Sequence, residues 1–88
     1  MPVLLLVFWA LLSAGEQDLL LSGREAFERG DYPRAEQIYR QYLKQNPRSA
    51  EGLSNLAAVL ARLEKYDEAI ATYRRALQVD PKLTPVYF

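Results

Sequence analysis

The side chains of this chain that could perform chemistry are carboxylates and hydroxyls. Two pairs of acids lie close together in the sequence, Glu25 with Glu28 and Asp67 with Glu68. Paired carboxylates can serve as general acid and general base in catalysis. Both pairs alternate with Arg and Lys, however, which is typical of solvated helix faces and of charges that stabilise a helix end. We therefore interpret both pairs as surface charges.

No other arrangement in the sequence indicates catalysis. The chain contains no histidine and no cysteine, which removes the commonest general base near neutral pH and the usual ligands of zinc. The serines, which have no histidine to activate them, are Ser13, Ser22, Ser49 and Ser54. A glycine-rich phosphate loop and a nucleophile elbow are also absent from the sequence. The sequence predicts a protein that is not an enzyme and has no catalytic residue, no cofactor and no metal site.

Chain length and charge balance limit further what kind of protein this chain can be. With 88 residues the chain is long enough for one small domain with a thin core. Its 11 basic and 11 acidic residues balance, and all of them follow residue 15. A surface that binds nucleic acid needs a basic stripe. The composition therefore predicts no nucleic-acid partner.

An internal repeat organises the charged part of the chain. Pro47 and Pro81 each follow Asn or Asp, and the offset between them is 81 − 47 = 34. A residue before proline is driven away from helical geometry, so each proline ends a helix. At the same offset seven pairs are identical, namely Leu19 with Leu53, Tyr32 with Tyr66, Ala35 with Ala69, Tyr39 with Tyr73, Arg40 with Arg74, Leu43 with Leu77 and Pro47 with Pro81. The chain is predicted to contain two consecutive units of the same design.

Each unit is predicted to be a pair of helices. Gly30 can end the first helix in the left-handed conformation, and Pro33 fits the first turn of the second helix. Glu64 takes the place of Gly30 in the second unit, where the turn is less well marked. Apolar residues recur at three-to-four spacing, and the second helices are expected to bury Ala35, Ile38, Tyr39, Tyr42 and Leu43 in one unit and Ala69, Ile70, Tyr73, Ala76 and Leu77 in the other.

This pattern resembles the tetratricopeptide repeat (TPR), whose period is roughly 34 residues. The residues that carry the resemblance are Gly23, Tyr32, Ala35, Tyr39 and Pro47 in the first unit and Ala57, Tyr66, Ala69, Tyr73 and Pro81 in the second. Complete repeats cover 16–49 and 50–83, and residues 84–88 match the start of a third. The resemblance implies an all-α fold, an α-solenoid of antiparallel helical hairpins (TPR-like superhelix), that acts as a non-catalytic scaffold for protein–protein interaction. An ordinary four-helix bundle is the alternative fold.

One departure from the family pattern concerns residue volumes. The family has a large residue late in the first helix and alanine late in the second, as Leu60 and Ala76 are in the second unit. The first unit has Ala26 and Tyr42 instead. We expect the ring of Tyr42 to fill the space that Ala26 leaves, so that Ala26→Leu should partly compensate for Tyr42→Ala.

The resemblance also implies a concave surface, lined by the first helix of each unit, that binds another protein or peptide. The predicted groove residues are Gln17, Leu20, Arg24, Phe27, Glu28, Glu51, Ser54, Asn55, Ala58 and Arg62. Relatives that clamp a C-terminal carboxylate use Lys and Asn in the first unit, Asn in the second and basic residues in the third. Leu20, Arg24, Asn55 and Pro85 occupy the corresponding places here, and only Asn55 agrees. We therefore predict that this clamp is absent.

The first fifteen residues have a different character. Residues 3–12 are an uncharged apolar run, about half of the roughly 20 residues that a helix needs to cross a bilayer. Ser13 and Gly15 are small enough for a signal peptidase that cuts before Glu16. We expect residues 1–15 to be a cleaved signal and the protein to be exported, periplasmic or secreted. The alternatives are an apolar helix that stays packed on the first unit and an uncleaved membrane anchor.

A stack of repeats normally needs about three units for stability. We therefore expect this chain to be the front of a longer array. The alternative is a complete short protein that self-associates through the open face of its last repeat. Two further functions remain open: a localisation or oligomerisation segment of a larger enzyme or transport complex, and a module tethered to the membrane through residues 1–15.

Overall fold

The computed structural model describes residue 15 and residues 18–83, and residues 18–83 form helices joined by short turns. Helix α1 covers residues 18–28, and α2, α3 and α4 are Tyr32–Gln45, Ala50–Arg62 and Tyr66–Val79. Helix α3 packs against both α2 and α4, so the two predicted units are joined through α3. We call α1 with α2 unit one and α3 with α4 unit two. The described helices confirm the predicted all-α repeat fold.

The turn inside each unit has the same backbone hydrogen bonds. In unit one the N–H of Gly30 donates to the carbonyl of Phe27 at 2.9 Å, and the N–H of Asp31 donates to that of Ala26 at 2.9 Å. In unit two Glu64 donates to Ala61 at 3.0 Å and Lys65 to Leu60 at 2.9 Å. This pairing is the Schellman motif, which requires a left-handed residue after the helix. Gly30 and Glu64 both adopt it, with φ of 78° and 64°.

We expect Glu64→Gly to stabilise the chain, because a residue with a Cβ is strained at positive φ. The left-handed conformation costs an L-residue about 1 kcal/mol, which glycine avoids at the expense of greater freedom in the unfolded chain. The expected net gain is about 0.5 kcal/mol, measured by urea unfolding. The matched change Gly30→Glu should destabilise by about 1 kcal/mol. If Glu64→Gly and Gly30→Glu changed the free energy of unfolding in the same direction, this account would be contradicted.

Side chains and prolines set the ends of the helices. The N–H of Arg34 donates to Asp31 Oδ1 at 3.3 Å, and the N–H of Gly52 donates to Ser49 Oγ at 3.0 Å, so α2 and α3 begin with a capping residue. Helix α4 has no side-chain cap at Lys65 but carries two acids in its first turn, which favour the helix dipole. Helices α2 and α4 end two residues before the prolines at 47 and 81. Both predicted stops are confirmed.

Close approach of α1 to α2 depends on a glycine. A Cβ placed on Gly23 would lie 2.7 Å from Cε1 and Cζ of Tyr39, so the ring lies directly against the backbone of α1. The core around this contact consists of Ala26, Ala35, Ile38, Tyr39, Leu56, Val59, Leu60 and Ala69. Small residues at the crossing points therefore let aromatic and aliphatic side chains fill the space between helices.

The predicted burial of α4 needs a correction. The sequence predicts Ile70 in the core, but its side chain is 39% exposed, whereas Thr72 is only 5% exposed. The inward face of α4 is formed by Ala69, Thr72 and Ala76, which follow three-to-four spacing. Ile70 lies about 100° further round the helix from Ala69, outside this face.

The predicted partner of Tyr42 also needs a correction. A Cβ on Gly52 would lie 2.9 Å from Cδ1 and Cε1 of Tyr42, which places the ring against α3. Tyr42 does not belong to the buried cluster that contains Ala26. The small residue that accommodates the large ring is therefore Gly52 of the following unit, rather than Ala26 of the same unit.

Ion pairs join the two units on the side of α2 and α4. Glu36 accepts from Lys65 Nζ at 3.0 Å and from Arg40 Nε at 2.8 Å, and Arg40 Nη2 donates to Glu68. Burial alone would raise the pKa of Glu36, but the hydrogen bonds and charges of Arg40 and Lys65 outweigh it and hold this pKa below 4.5. Hydrogen bonds to Glu68 and Glu36 raise the pKa of Arg40. We call these four residues the inter-unit network.

Candidate protein-binding groove

A hollow of about 90 Å³ lies between the two units and is lined by Arg24, Phe27, Tyr39, Asn55 and Ala58. It has the volume of about three water molecules at roughly 30 Å³ each, so it can admit one small side chain. Phe27 and Ala58 give it an apolar wall, and three polar side chains complete the lining. Four of the ten predicted groove residues thus meet at one place.

The ring of Phe27 is held on two sides. Its centroid lies 5.4 Å from that of Tyr32, with an angle of 62° between the rings, an edge-to-face arrangement that aromatic pairs favour. The guanidinium carbon of Arg62 lies 5.5 Å from the Phe27 centroid, within the range of a cation–π contact. These two contacts hold the Phe27 ring in place at the wall of the hollow.

Arg24 has only a weak, exposed ion-pair partner. Its Nη2 lies 3.7 Å from Glu51 Oε1, and both side chains are 58% exposed. An exposed pair at this separation contributes little to stability. An acceptor on a bound protein could therefore take the place of Glu51 on Arg24.

Tyr39 was predicted as a packing residue, and its part in the hollow was missed. Its side chain is only 2% exposed, yet it contributes to the lining of the hollow. Burial raises the pKa of Tyr39 above 10.0, so the hydroxyl stays protonated at neutral pH and is able to donate a hydrogen bond. No pattern in the sequence signals this role, because it depends on how far the ring reaches past Gly23.

The remaining predicted groove residues have varied surroundings. Leu20 is partly buried and packs against the core cluster, and the hydroxyl of Ser54 donates to the carbonyl of Glu51 at 3.1 Å. Glu28 is exposed and its charge acts on Tyr39. Gln17, like Pro85 of the clamp comparison, lies outside the described residues, as do residues 1–14 of the predicted signal.

Neither a metal-binding cluster nor a membrane-spanning helix occurs among the described residues. Residues 15 and 18–83 contain no group of three or more acidic, histidine or cysteine side chains that could hold a metal ion. Among the helices of the same residues, none is long and apolar enough to cross a membrane.

Comparisons with known proteins agree with the repeat architecture. The family description "Tetratricopeptide repeat" matches residues 20–84. The chain is similar to heat shock protein STI1 of Saccharomyces cerevisiae, with 40% identity over 53 residues, or 60% of this chain and 9% of that protein. It is also similar to Hsp70-Hsp90 organizing protein 1 of Glycine max, with 32% identity over 59 residues, or 67% of this chain and 10% of that protein.

A third relative is an enzyme. Serine/threonine-protein phosphatase T of Aspergillus oryzae is 34% identical over 70 residues, which are 80% of this chain but 15% of that protein. The chain thus spans a small fraction of the length of each relative. The family match covers most of the chain, and the helices, turns and small residues at the crossings agree with it. This chain belongs to the tetratricopeptide repeat family, a family of non-catalytic helical scaffolds for protein–protein interaction.

Proposed function

We propose that this chain binds a segment of another protein along the surface formed by α1 and α3. The observation that supports the proposal is the hollow lined by Arg24, Phe27, Tyr39, Asn55 and Ala58. A concave site with an apolar wall and a few convergent polar groups is typical of ligand recognition. Relatives whose names describe the organisation of Hsp70 and Hsp90 support a protein as the partner.

The chemistry of the hollow indicates which side chain it accepts. Arg24, Asn55 and Tyr39 can all donate hydrogen bonds, and Phe27 offers an apolar surface. The bound segment is expected to insert a short side chain that ends in an acceptor, with an apolar neighbour lying on Phe27. Two charged residues then fix the position of the bound segment along the surface. They are Arg62, which lies over the Phe27 ring, and Glu51, which lies beside Arg24.

The test uses short peptides selected from a random phage-displayed library on the immobilised full chain. The dissociation constant of a selected peptide is measured by isothermal titration calorimetry. Ala58→Phe should fill the hollow and raise this constant at least tenfold, which corresponds to about 1.4 kcal/mol. Arg24→Glu should also weaken binding, because it replaces a donor by a carboxylate.

Gln41→Phe is the matched control, since Gln41 is exposed on α2 away from the hollow. It should leave the affinity unchanged. Circular dichroism of each variant establishes that the helices are retained. Peptides whose affinity is unaffected by both Ala58→Phe and Arg24→Glu would contradict a binding site at the hollow.

A second candidate is a localisation or oligomerisation segment within a larger enzyme. The similarity to a part of serine/threonine-protein phosphatase T favours this candidate. The downstream part of the reading frame distinguishes the two candidates, since further repeats support the scaffold and a catalytic domain supports the segment. Determination of the downstream coding sequence separates them.

We also propose that the protein is exported. The proposal rests on the uncharged apolar run at residues 3–12 and the small residues Ser13 and Gly15 before Glu16. Intact-mass spectrometry of the chain made in an exporting host should give a mature protein that begins at Glu16. A mass that retains Met1 would support the attached-helix or membrane-tether alternatives instead.

A further inference from the structure

Another depression, which shares no lining residue with the hollow, lies where α2, α3 and α4 meet. It has a volume of about 300 Å³ and is lined by Arg40, Leu43, Lys44, Leu56 and Arg75. Leu56 is only 3% exposed and Leu43 is partly buried against the core cluster, so these two residues form an apolar floor. The other three lining residues are all cations. We call this depression the basic cleft.

The positive charge of the basic cleft exceeds what nearby acids balance. The two acids and two bases of the inter-unit network, which includes Arg40, neutralise one another. Lys44 and Arg75, in contrast, have no ion-pair partner among the described residues. Neither has an acid three or four positions away, where a helix would place a partner. Lys44 and Arg75 therefore leave two positive charges uncompensated.

The ends of the helices explain only one of these two charges. Lys44 lies in the last turn of α2, where a cation interacts favourably with the helix dipole. The last turn of α4 contains no basic residue, so Arg75 lies outside the range of this effect. A role in binding an anion accounts for both residues.

The guanidinium of Arg40 is already held in place at the basic cleft. Its Nε donates to Glu36 at 2.8 Å, and its Nη2 donates to Glu68. A guanidinium carries five N–H groups in one plane, so further donors remain for a ligand. A side chain that is already ordered loses less freedom when a ligand binds.

Charge and size together indicate which ligand fits the basic cleft. A phosphate monoester carries a charge of about −1.5 to −2 at neutral pH and three strong acceptor oxygens, which matches the two uncompensated cations and the ordered Arg40. The apolar floor offers a surface to an organic group attached to the phosphate. Ligand pockets have volumes of about 300 to 1,000 Å³. The basic cleft is at the lower end of this range, so its ligand is small.

The acids beside the basic cleft favour a compact anion over an extended one. Glu36 and Glu68 are both bonded to Arg40. An acidic peptide or an anionic bilayer would bring further negative charges near these two carboxylates, which is unfavourable. A single phosphate group can contact the cations alone.

We propose that the basic cleft binds a small organic phosphate monoester, with Arg40, Lys44 and Arg75 on the phosphate and the organic group on Leu43 and Leu56. This site is separate from the hollow between α1 and α3, so it adds a small-molecule ligand to the proposed binding of a protein segment.

The test uses phenyl phosphate as the probe and isothermal titration calorimetry of the full chain. The dissociation constant is expected to be about 1 mM or lower. Inorganic phosphate has no group for the apolar floor, and phenyl sulfate has the same ring but a single charge. Each of these two probes should bind at least about fivefold more weakly than phenyl phosphate.

Substitutions of the two uncompensated cations locate the site. Lys44→Gln and Arg75→Gln should each raise the dissociation constant of phenyl phosphate about five- to tenfold, whereas Lys44→Arg should retain binding. Arg48→Gln is the matched control, because Arg48 is exposed in the turn after α2 and does not line the basic cleft. It should leave the constant unchanged. Circular dichroism of each variant establishes that the helices are retained.

Three results would overturn the inference. They are no saturable binding of phenyl phosphate up to about 10 mM, equal affinity for inorganic phosphate or phenyl sulfate, and an unchanged constant in both Lys44→Gln and Arg75→Gln.

Two further probes distinguish the source of the phosphate. A phosphotyrosine peptide carries the phenyl phosphate group on an extended chain, and vesicles that contain phosphatidic acid carry a phosphate monoester on a bilayer. Neither should bind more tightly than phenyl phosphate. Binding of either probe at least about tenfold more tightly, and lost in Arg75→Gln, would overturn the assignment to a small molecule.

Discussion

Gly23→Leu should lower the free energy of unfolding by about 3 kcal/mol, near the upper end of the range for added bulk in a packed core. A Cβ at this position would lie 2.7 Å from the ring of Tyr39. That ring is only 2% exposed and belongs to the core cluster, so it cannot move away without opening a gap elsewhere. Urea unfolding followed by circular dichroism at 222 nm gives the free energy.

Ser22→Leu is the control, because Ser22 is the neighbour of Gly23 on α1 and is exposed; it should cause no comparable loss of stability. Tyr39→Ala should cost about 3 to 5 kcal/mol by leaving a cavity. Combining it with Gly23→Leu should cost less than the sum of the two, because the leucine enters space that the ring vacates. Strictly additive losses would show that the two residues do not contact each other.

Tyr42→Ala should cost about 2 to 4 kcal/mol, because the side chain is 9% exposed and its removal leaves a cavity beside α3. The compensating position is Gly52, whose Cβ would lie 2.9 Å from the ring of Tyr42 and 3.0 Å from Cδ2 of Leu43. In the Tyr42→Ala background, Gly52→Leu should recover about 1 kcal/mol or more of the loss. The same urea unfolding measurement applies.

Ala26→Leu is the comparison for this pair. Sequence volumes alone predict that it would compensate for Tyr42→Ala, whereas the position of the ring against Gly52 predicts no recovery. Ala26 is fully buried, so added bulk there should destabilise further. Recovery with Ala26→Leu and none with Gly52→Leu would restore the original volume-exchange hypothesis.

Features encoded by neighbouring residues could be predicted from the sequence. Pro47 and Pro81 follow the helix ends, Pro33 lies in the first turn of α2, and Gly30 adopts the expected positive φ. Each of these depends on the local chain, and the second unit repeats the same local pattern. The all-α repeat fold is a direct consequence of that repetition.

Features that depend on contacts between units could not be predicted in the same way. The ion pairs of Arg40 with Glu68 and of Glu36 with Lys65 join residues 28 and 29 positions apart, and no helical period relates them. The contact of Tyr42 with Gly52 also depends on how α3 crosses α2.

The residues that line the hollow could be predicted only in part, for a similar reason. Arg24, Phe27, Asn55 and Ala58 could be assigned from the face that α1 and α3 share. Tyr39 comes from α2, and only its depth against Gly23 brings it to the hollow.

The depressed pKa of Glu36 bears on how the chain behaves outside neutral solution. Since its folded-state pKa lies below 4.5, the stability it contributes is complete above its unfolded-state value and is lost only as the pH falls through the lower folded-state value. Acidification to about pH 5, as in mildly acidic cellular compartments, leaves its carboxylate charged. The pair of Glu36 with Lys65, which joins the two units, is therefore expected to persist in such compartments.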